Sequence, residues 1–283
     1  MPKQNKAVRA LVASIWVSVL AIAAVICCLG LQPGRCEALQ LTAASTVSES
    51  QVVDRIEQSI KRHETWVYFG WDEKVPSSFV NRGYLKAITR KPGYLADVAT
   101  GRKMTYVYSG TSYASGLKIE YNTAAQRKAI SKTVRQITSK IKPGMSEVDK
   151  YRVLHDGLIR RTSYKRGAYE VSGPLGPSRR GNCYAYALSY VLLCKSAGLK
   201  AVYLGSPNDP MSHGWCGVKV KGKWYEIDPS WDDPIGGKSK TVSTKYFLRG
   251  RKYMKQLDYH HSISTAAPYE VTLNRADYKM KRS

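Results

Sequence analysis

Cysteine is scarce in most of this chain. Of the six cysteines, only Cys183, Cys194 and Cys216 lie beyond the first 38 residues. An odd number of cysteines leaves at least one thiol free, whatever pairing the others adopt. For Cys194 and Cys216 we favour a role as small buried hydrophobic side chains over a mutual disulfide.

The spacing of these cysteines also argues against a metal site. Cys183 and Cys194 are eleven residues apart on one predicted helix, roughly 16 Å, which is too far for both to bind one zinc ion with His213. We find no other metal-ligand spacing in the sequence. The sequence therefore predicts neither a metal nor another cofactor.

Charge is absent from residues 10–31, which follow a short segment that carries three basic residues. This pattern is typical of an export segment. It is long for a signal-peptide core and just long enough to span a bilayer, and small-residue cleavage sites occur at 36–38 and 42–44. Residues 1–44 are therefore predicted to be a signal peptide or a membrane anchor with a flexible lead, and the body should face outward.

Acidic residues are few, with 21 Asp and Glu against 45 Lys and Arg. The excess is uneven, because 123–166 holds twelve basic and three acidic residues, whereas 181–237 holds five of each. A basic surface attracts polyanions, so we expect docking to anionic cell-wall polymers; a solvated surface that serves solubility is the alternative. Nucleic acid is not expected, because the compartment is wrong and no aromatic-interleaved basic motif appears.

Residues 45–122 are predicted to form an N-terminal α/β extension without recognisable chemistry. Ser48 and Gln51 can form a capping box at the start of a helix. A stretch rich in Gly, Pro and Lys, with no predicted element, extends to Lys103. Alternating apolar residues predict three short strands, at 66–69, 104–109 and 117–122.

Two amphipathic helices follow. The first spans 123–141, since apolar residues recur at steps of four, three and four from Ile130. The second begins at Ser146, which can cap it together with Asp149. Its histidine, like the others outside the motifs below, is expected to be a packed structural residue; these are His63, His155, His260 and His261.

A third helix is predicted to begin with a thiol on its first turn. Asn182 can cap this helix, and apolar residues keep helical spacing until Gly198, which favours a left-handed stop. Cys183 then lies at the positive end of the helix dipole, where the thiolate is favoured and the pKa of the thiol falls.

A β-hairpin is predicted beyond this helix. Alternating residues flank Lys221-Gly222, and a two-residue turn there pairs positions whose numbers sum to 443. In that register His213 and Asp228 are diagonal neighbours on one face, within reach of a hydrogen bond. A three-residue turn would place them on opposite faces.

These motifs together resemble the transglutaminase-like core, a relative of the papain-like cysteine proteases. The resemblance covers about 120–262 and includes the lead-in of secreted bacterial members. It rests on Gly181-Asn182-Cys183-Tyr184-Ala185, His213-Gly214-Trp215, and Gly222-Lys223-Trp224-Tyr225 leading into Asp228-Pro229-Ser230-Trp231. Two departures are Gly214, where the family usually has Ala, and Cys216, where Asn is common.

The resemblance implies an α+β fold, in which a nucleophile helix packs against an antiparallel sheet. It implies a catalytic core at 123–268, with Cys183 as nucleophile, His213 as base and Asp228 as the residue that orients the base. It also implies substrate contacts, which we assign to Tyr164, Trp215 and Trp231. The loop 164–180 is either a pocket wall or a plain connector.

The last segments are predicted to support this core. Residues 246–248 suggest a final core strand, and 269–283 form a basic C-terminal tail.

The expected function is cleavage or transfer of amide bonds through a thioester, with protein or cell-wall peptide as substrate. Hydrolysis is favoured over transfer to an amine. The enzyme would be secreted, or anchored through 10–31 to the outer face of a bacterial cytoplasmic membrane. A non-catalytic binding or scaffolding module on the same fold is the alternative.

Overall fold

A computed structural model describes most of the chain beyond Thr46. The described residues are 47–69, 75–100, 106–108, 114–205, 213–233, 242–257, 261 and 271–280. They belong to one compact unit that runs from Ala44 to Ser283. Within these ranges no helix is long and apolar enough to cross a bilayer. The predicted export segment, 1–44, lies outside the described residues.

The described elements alternate between helices and short strands. The helices are α1 (Glu49–Lys61), α2 (Ser77–Arg90), α3 (Pro92–Asp97), α4 (Ala124–Thr138), α5 (Glu147–Ile159), α6 (Cys183–Ser196) and α7 (Arg251–Leu257). The strands are β1 (Trp66–Tyr68), β2 (Tyr106–Tyr108), β3 (Ala114–Lys118), β4 (Ser163–Tyr164), β5 (Arg180–Gly181), β6 (Ala201–Gly205), β7 (Gly214–Val220) and β8 (Lys223–Ile227).

The predicted helix starts are confirmed by their caps. Ser48 and Thr123 form complete capping boxes with Gln51 and Gln126, and the Ser146 side chain accepts from the Asp149 N–H. Such bonds satisfy backbone donors that a helix start leaves unpaired.

Helices α2 and α3 were missed by the sequence analysis, which predicted no element between residue 69 and Lys103. Helix α2 buries apolar side chains at helical spacing, including Val80, Tyr84 and Ile88. Pro92 occupies the first turn of α3, where its missing N–H costs nothing. The Gly, Pro and Lys content of this stretch hid the helical period, because it resembles the composition of a loop.

Strands β1, β3 and β2 form an antiparallel sheet in that order. The strand predicted at 117–122 was placed too late, because the paired residues are Ala114–Lys118, with Val67 opposite Leu117. Residues beyond Lys118 still bond to their neighbours, as Ile119 N–H donates to the Thr65 carbonyl. The strand predicted at 104–109 is confirmed at its centre, Tyr106–Tyr108.

Helix α6 is the buried centre of the second half of the unit. Residues Ala185 to Cys194 are all buried, and the helix packs against the antiparallel sheet β6-β7-β8 and against α5. Gly198 follows with φ of 73°, the predicted left-handed stop. One hydrophobic core continues from α1 to this sheet. The division into an extension (45–122) and a catalytic core (123–268) stays a prediction.

The hairpin β7-β8 has the predicted register. Cys216 pairs with Ile227 and Lys219 with Trp224. Lys221 and Gly222 have φ of 49° and 82°, which a two-residue turn with both central residues left-handed requires. This register brings the start of β7 and the end of β8 together.

The predicted strand at 246–248 is wrong. These residues are buried but form a turn, in which Tyr246 N–H donates to Asp232 and Leu248 has φ of 54°.

Residues of the C-terminal segment also pack on the hairpin, since Tyr278 lies edge-on to Tyr225. Asp277 accepts from the Arg249 side chain at 3.0 Å.

Candidate active site

Cys183 begins helix α6, as the sequence predicts. The Asn182 side chain accepts from the Ala185 N–H at 3.1 Å and so fixes the first turn. Asn182 is itself held, because its N–H donates to the Ala168 carbonyl at 2.7 Å. Of the three cysteines that the structure describes, all are free thiols, and only Cys183 is partly exposed.

His213 lies immediately before β7 and joins the thiol to a carboxylate. Its Nε2 is 2.5 Å from Asp228 Oδ2, so the predicted hydrogen bond between these residues is confirmed. The imidazole also hydrogen-bonds the Cys183 side chain. Because Asp228 occupies Nε2, Nδ1 is the nitrogen left for the thiol.

Asp228 is held rigidly at the end of β8. Its Oδ1 accepts from the Ser230 N–H at 2.9 Å, the Ser230 hydroxyl at 2.7 Å and the Trp231 N–H at 3.1 Å. The side chain is fully buried. Burial raises the pKa of this carboxyl, but the charge and hydrogen bond of His213 outweigh burial and hold its pKa well below the ordinary value.

The thiol and imidazole are shifted toward their charged forms. Burial raises the pKa of Cys183. The hydrogen bond and charge of His213, together with the Gly214 N–H, lower this pKa by more, so the net pKa lies below the ordinary value. Burial lowers the pKa of His213, but Asp228 and Cys183 together raise it to about 10. A thiolate–imidazolium pair is therefore favoured between the two values.

His261 was missed as a member of this cluster. The sequence analysis treated it as a packed structural histidine, and its position 33 residues beyond Asp228, outside every motif, carries no signal. The structure places its Nε2 2.9 Å from Asp228 Oδ2, the same oxygen that His213 contacts.

His213, Asp228 and His261 have the donor types of a metal site, and their ligand atoms lie within 4.8 Å of one another. Donors that share a tetrahedral zinc ion are about 3.3 Å apart, given zinc–nitrogen bonds near 2.0 Å. The Asp228 oxygen is only 2.5 and 2.9 Å from the two imidazoles. These are hydrogen-bond distances, so the residues as placed do not fit a shared metal ion.

Tyr164 lies at the open side of the thiol. Tyr164 is 52% exposed, and its hydroxyl hydrogen-bonds the Cys183 side chain and accepts from the Cys183 N–H. Asp233 holds this residue by accepting from the Tyr164 N–H, and it also accepts from the Tyr186 hydroxyl at 2.5 Å. Tyr164 thus belongs to the site wall.

The two predicted tryptophans differ in position. Trp231 is 39% exposed and meets His213 edge-on at 5.6 Å, so it remains available to a substrate. Trp215 is only 1% exposed, which corrects its predicted role as a substrate contact. Its ring stacks on His213 at 5.8 Å and its indole N–H donates to Glu226 at 2.9 Å. Trp215 therefore supports the imidazole from behind.

The two departures from the family pattern lie in the wall behind the triad. Gly214 pairs with Gly205 across β6 and β7, and the Tyr203 phenol lies over both. A Cβ at either glycine would overlap this phenol. Cys216 is fully buried and its thiol contacts the Ala187 carbonyl at 3.3 Å.

This chain is similar to a known protein family and to solved structures. The profile of the Transglutaminase-like superfamily matches residues 131–229. A Cytophaga hutchinsonii structure described as a candidate cysteine protease aligns at 20% identity with a TM-score of 0.31, covering 40% of each chain. A structure described as a TGase aligns at 14% identity with a TM-score of 0.33, over 52% of this chain and 48% of the other.

This chain therefore spans less than half the length of either solved structure. No curated protein matches it. The segment matched by the family profile holds Cys183, His213 and Asp228, and it includes the helix and hairpin that bring them together. The fold is thus α+β, and the profile match places residues 131–229 in the transglutaminase-like superfamily.

Proposed function

We propose that this chain is a thiol enzyme that cleaves or transfers amide bonds through a thioester intermediate. One observation carries the proposal: a partly exposed thiol at a helix start bonds to His213, which Asp228 holds from the other side. This is the arrangement that nucleophilic acyl transfer needs, with a nucleophile, a base and a group that orients the base.

In the proposed mechanism the Cys183 thiolate attacks the carbon of a carboxamide and forms a tetrahedral intermediate. His213, already protonated, donates its Nδ1 proton to the leaving amine as the carbon–nitrogen bond breaks. Asp228 keeps the other nitrogen protonated and stabilises the imidazolium. A thioester on Cys183 and a free amine result.

The negative oxygen of the intermediate needs hydrogen-bond donors. The Cys183 N–H is one, because it lies at the start of α6 and has no helical acceptor. The Tyr164 hydroxyl is adjacent to this N–H and to the thiol. We assign it the role of second donor, which it takes up when a substrate carbonyl displaces it from the N–H.

Water is the proposed acceptor of the acyl group, which makes the protein a peptidase or amidase. The thiol is partly exposed, so water reaches the thioester. His213, neutral after the first step, accepts a proton from the attacking water, and the acid product leaves as the thiolate returns. An amine that replaces water would yield a transamidated product by the same steps.

We further propose that the enzyme works on protein or peptide outside the cytoplasmic membrane, docked to an anionic polymer of the cell wall. The uncharged segment 10–31 and the net charge of +24 support this placement. Helix α4 has no acidic residue and exposes several cationic side chains to solvent; these include Lys128, Lys132 and Arg135.

Mass spectrometry tests this proposal. Purified enzyme would be incubated with cell-wall fragments and with protein substrates, with and without a primary amine, beside Cys183→Ser as control. We expect new carboxylates without amine, amine adducts as a minor product, and neither with the variant. If wild-type and variant samples are identical for every substrate, the chain is a binding module and the proposed chemistry is wrong.

A further inference from the structure

Asp228 Oδ2 accepts hydrogen bonds from two imidazoles. His213 Nε2 lies at 2.5 Å and His261 Nε2 at 2.9 Å from this oxygen, and the three side chains are buried. The rings of the two histidines are 4.9 Å apart and nearly perpendicular. A triad needs one imidazole on its carboxylate, so the second one calls for an explanation.

His261 is held by contacts on several sides. Its ring stacks on Tyr246 at 5.7 Å and meets Trp215 edge-on at 5.0 Å. The Arg251 guanidinium donates to the His261 carbonyl. It also donates to the Glu226 carboxylate at 2.5 Å, and this carboxylate accepts from the Trp215 indole N–H as well. The ring thus has a fixed position beside Asp228, as expected of a residue that acts through that carboxylate.

We infer that His261 is a positioning residue that lowers the proton affinity of His213 by sharing its carboxylate acceptor. This inference rests on the proposed function, because it concerns the thiolate–imidazolium pair of that site.

The physical reason is competition for one acceptor. A carboxylate oxygen that receives a second N–H has part of its negative charge satisfied, so it stabilises the first imidazolium less. Loss of the His261 donor would leave Asp228 Oδ2 to His213 alone. The imidazolium of His213 would then persist to higher pH.

Other charged and titratable groups face this cluster and stay in place in the test. Cys183 contributes its thiolate from α6, and Tyr164 its phenol from β4. Glu226 lies on β8 and faces Arg251 of α7. The phenol of Tyr246 covers the outer face of the His261 ring.

Alkylation of Cys183 by iodoacetate between pH 4 and 11 reports the imidazolium. The rate rises as the thiolate forms and falls as the imidazolium is lost, because the reagent is an anion that this cation attracts. The rate would be followed by mass spectrometry of the Cys183 peptide. Neutral iodoacetamide serves as the reference for access to the thiol.

His261→Phe keeps an aromatic ring but removes the donor. The alkaline limb of the rate–pH profile is the range in which the rate falls as the imidazolium is lost. In His261→Phe we expect this limb to move up by roughly one pH unit, which corresponds to the free energy of a hydrogen bond to a charged group. His261→Gln supplies an amide N–H in place of the imidazole and should restore the wild-type limb. The exposed His63→Gln is the matched control and should leave both limbs unchanged.

The outcomes separate this inference from the proposed function. Near-ultraviolet circular dichroism checks that each variant is folded. If folded His261→Phe has the wild-type alkaline limb, or a lower one, His261 does not lower the proton affinity of His213. The inference is then overturned, while the ion pair stands. If the wild-type protein shows no bell-shaped profile at Cys183, the ion pair itself is absent and both proposals fall.

Discussion

His155 and Asp232 form a fully buried pair that ties helix α5 to the loop after β8. Their Nε2 and Oδ2 atoms are 3.2 Å apart, and the other imidazole nitrogen is 3.0 Å from Asp156 Oδ1. Asp232 also accepts from the Tyr246 N–H at 3.0 Å and donates its own N–H to the Asp228 carbonyl. The pair therefore anchors the loop that presents Asp228.

We predict that His155→Leu destabilises the fold by about 3 kcal/mol, because Asp232 stays buried without its charged partner. Urea unfolding measures the change, and Arg62→Ala, at an exposed site, is the control with almost no effect. A loss below 1 kcal/mol would show that the pair adds little to stability.

The same pair predicts a pH dependence of stability. Burial lowers the pKa of His155, but Asp156 and Asp232 raise it above the ordinary value in the folded state. Its contribution is therefore fully present below the unfolded pKa, about 6.5, and is lost as pH rises through the folded pKa. The difference between wild type and His155→Leu should shrink at alkaline pH; a constant difference would contradict this assignment.

Cys183 should be alkylated at mildly acidic pH, well ahead of the other two described thiols. His213 lowers its pKa against the effect of burial, whereas burial raises the pKa of Cys194 and Cys216. Iodoacetamide labelling at pH 5, read by peptide mass spectrometry in native and denatured protein, measures the three rates. Equal native rates would disprove a specially activated thiol.

Asp228→Asn should lower turnover by orders of magnitude, up to the roughly ten-thousandfold loss known for serine triads. The amide NH₂ of Asn would donate to His213 Nε2. It would therefore favour the tautomer with the proton on Nδ1, the nitrogen that must accept the proton of Cys183. Cys183→Ala should abolish turnover, and the double variant should be no worse. Kinetics with folding checked by circular dichroism decide this, and a folded, fully active Asp228→Asn would remove Asp228 from the mechanism.

Gly214→Ala, which restores the residue usual in the family, should destabilise this protein. The new Cβ would overlap the Tyr203 phenol, which also lies 2.8 Å from a Cβ built at Gly205. Overpacking of this kind costs about 1–3 kcal/mol. Tyr203→Leu should relieve much of the cost, so the double variant tests coupling by thermal unfolding. Additive effects would show that the phenol does not decide the preference for glycine.

Salt should release the enzyme from anionic wall polymer, since Debye screening at 1 M confines the field to about 3 Å. A triple variant of α4, with Lys128, Lys132 and Arg135 changed to Gln, should also bind less. The matched control changes three exposed lysines outside α4, Lys200, Lys221 and Lys223, to Gln. Wall binding in a pull-down assay measures both; equal losses in the two variants would argue for net charge rather than for this helix.

Much of the site could be predicted because its signals are local. A cap, a helix start and a two-residue turn each depend on a few neighbouring residues, so Asn182, Cys183 and the Lys221-Gly222 turn were enough to place the thiol and the hairpin. The register then set His213 beside Asp228 without knowledge of the rest of the chain.

The missed features depend on contacts between distant segments. Helix α2 has a loop-like composition, and its burial against α1 makes it a helix. Residues 246–248 are as apolar as a strand, yet their N–H groups bond to Asp232 and Thr244 instead of to a neighbouring strand.

The sequence by itself determined that Cys183 begins a helix and that His213 lies beside Asp228, because helix caps and hairpin register follow from local backbone chemistry. Only the tertiary structure decided that Trp215 lies behind His213 instead of facing a substrate, and that His261 shares the Asp228 carboxylate. The physical reason is that burial and hydrogen bonding to a common acceptor arise when segments far apart in the chain pack together.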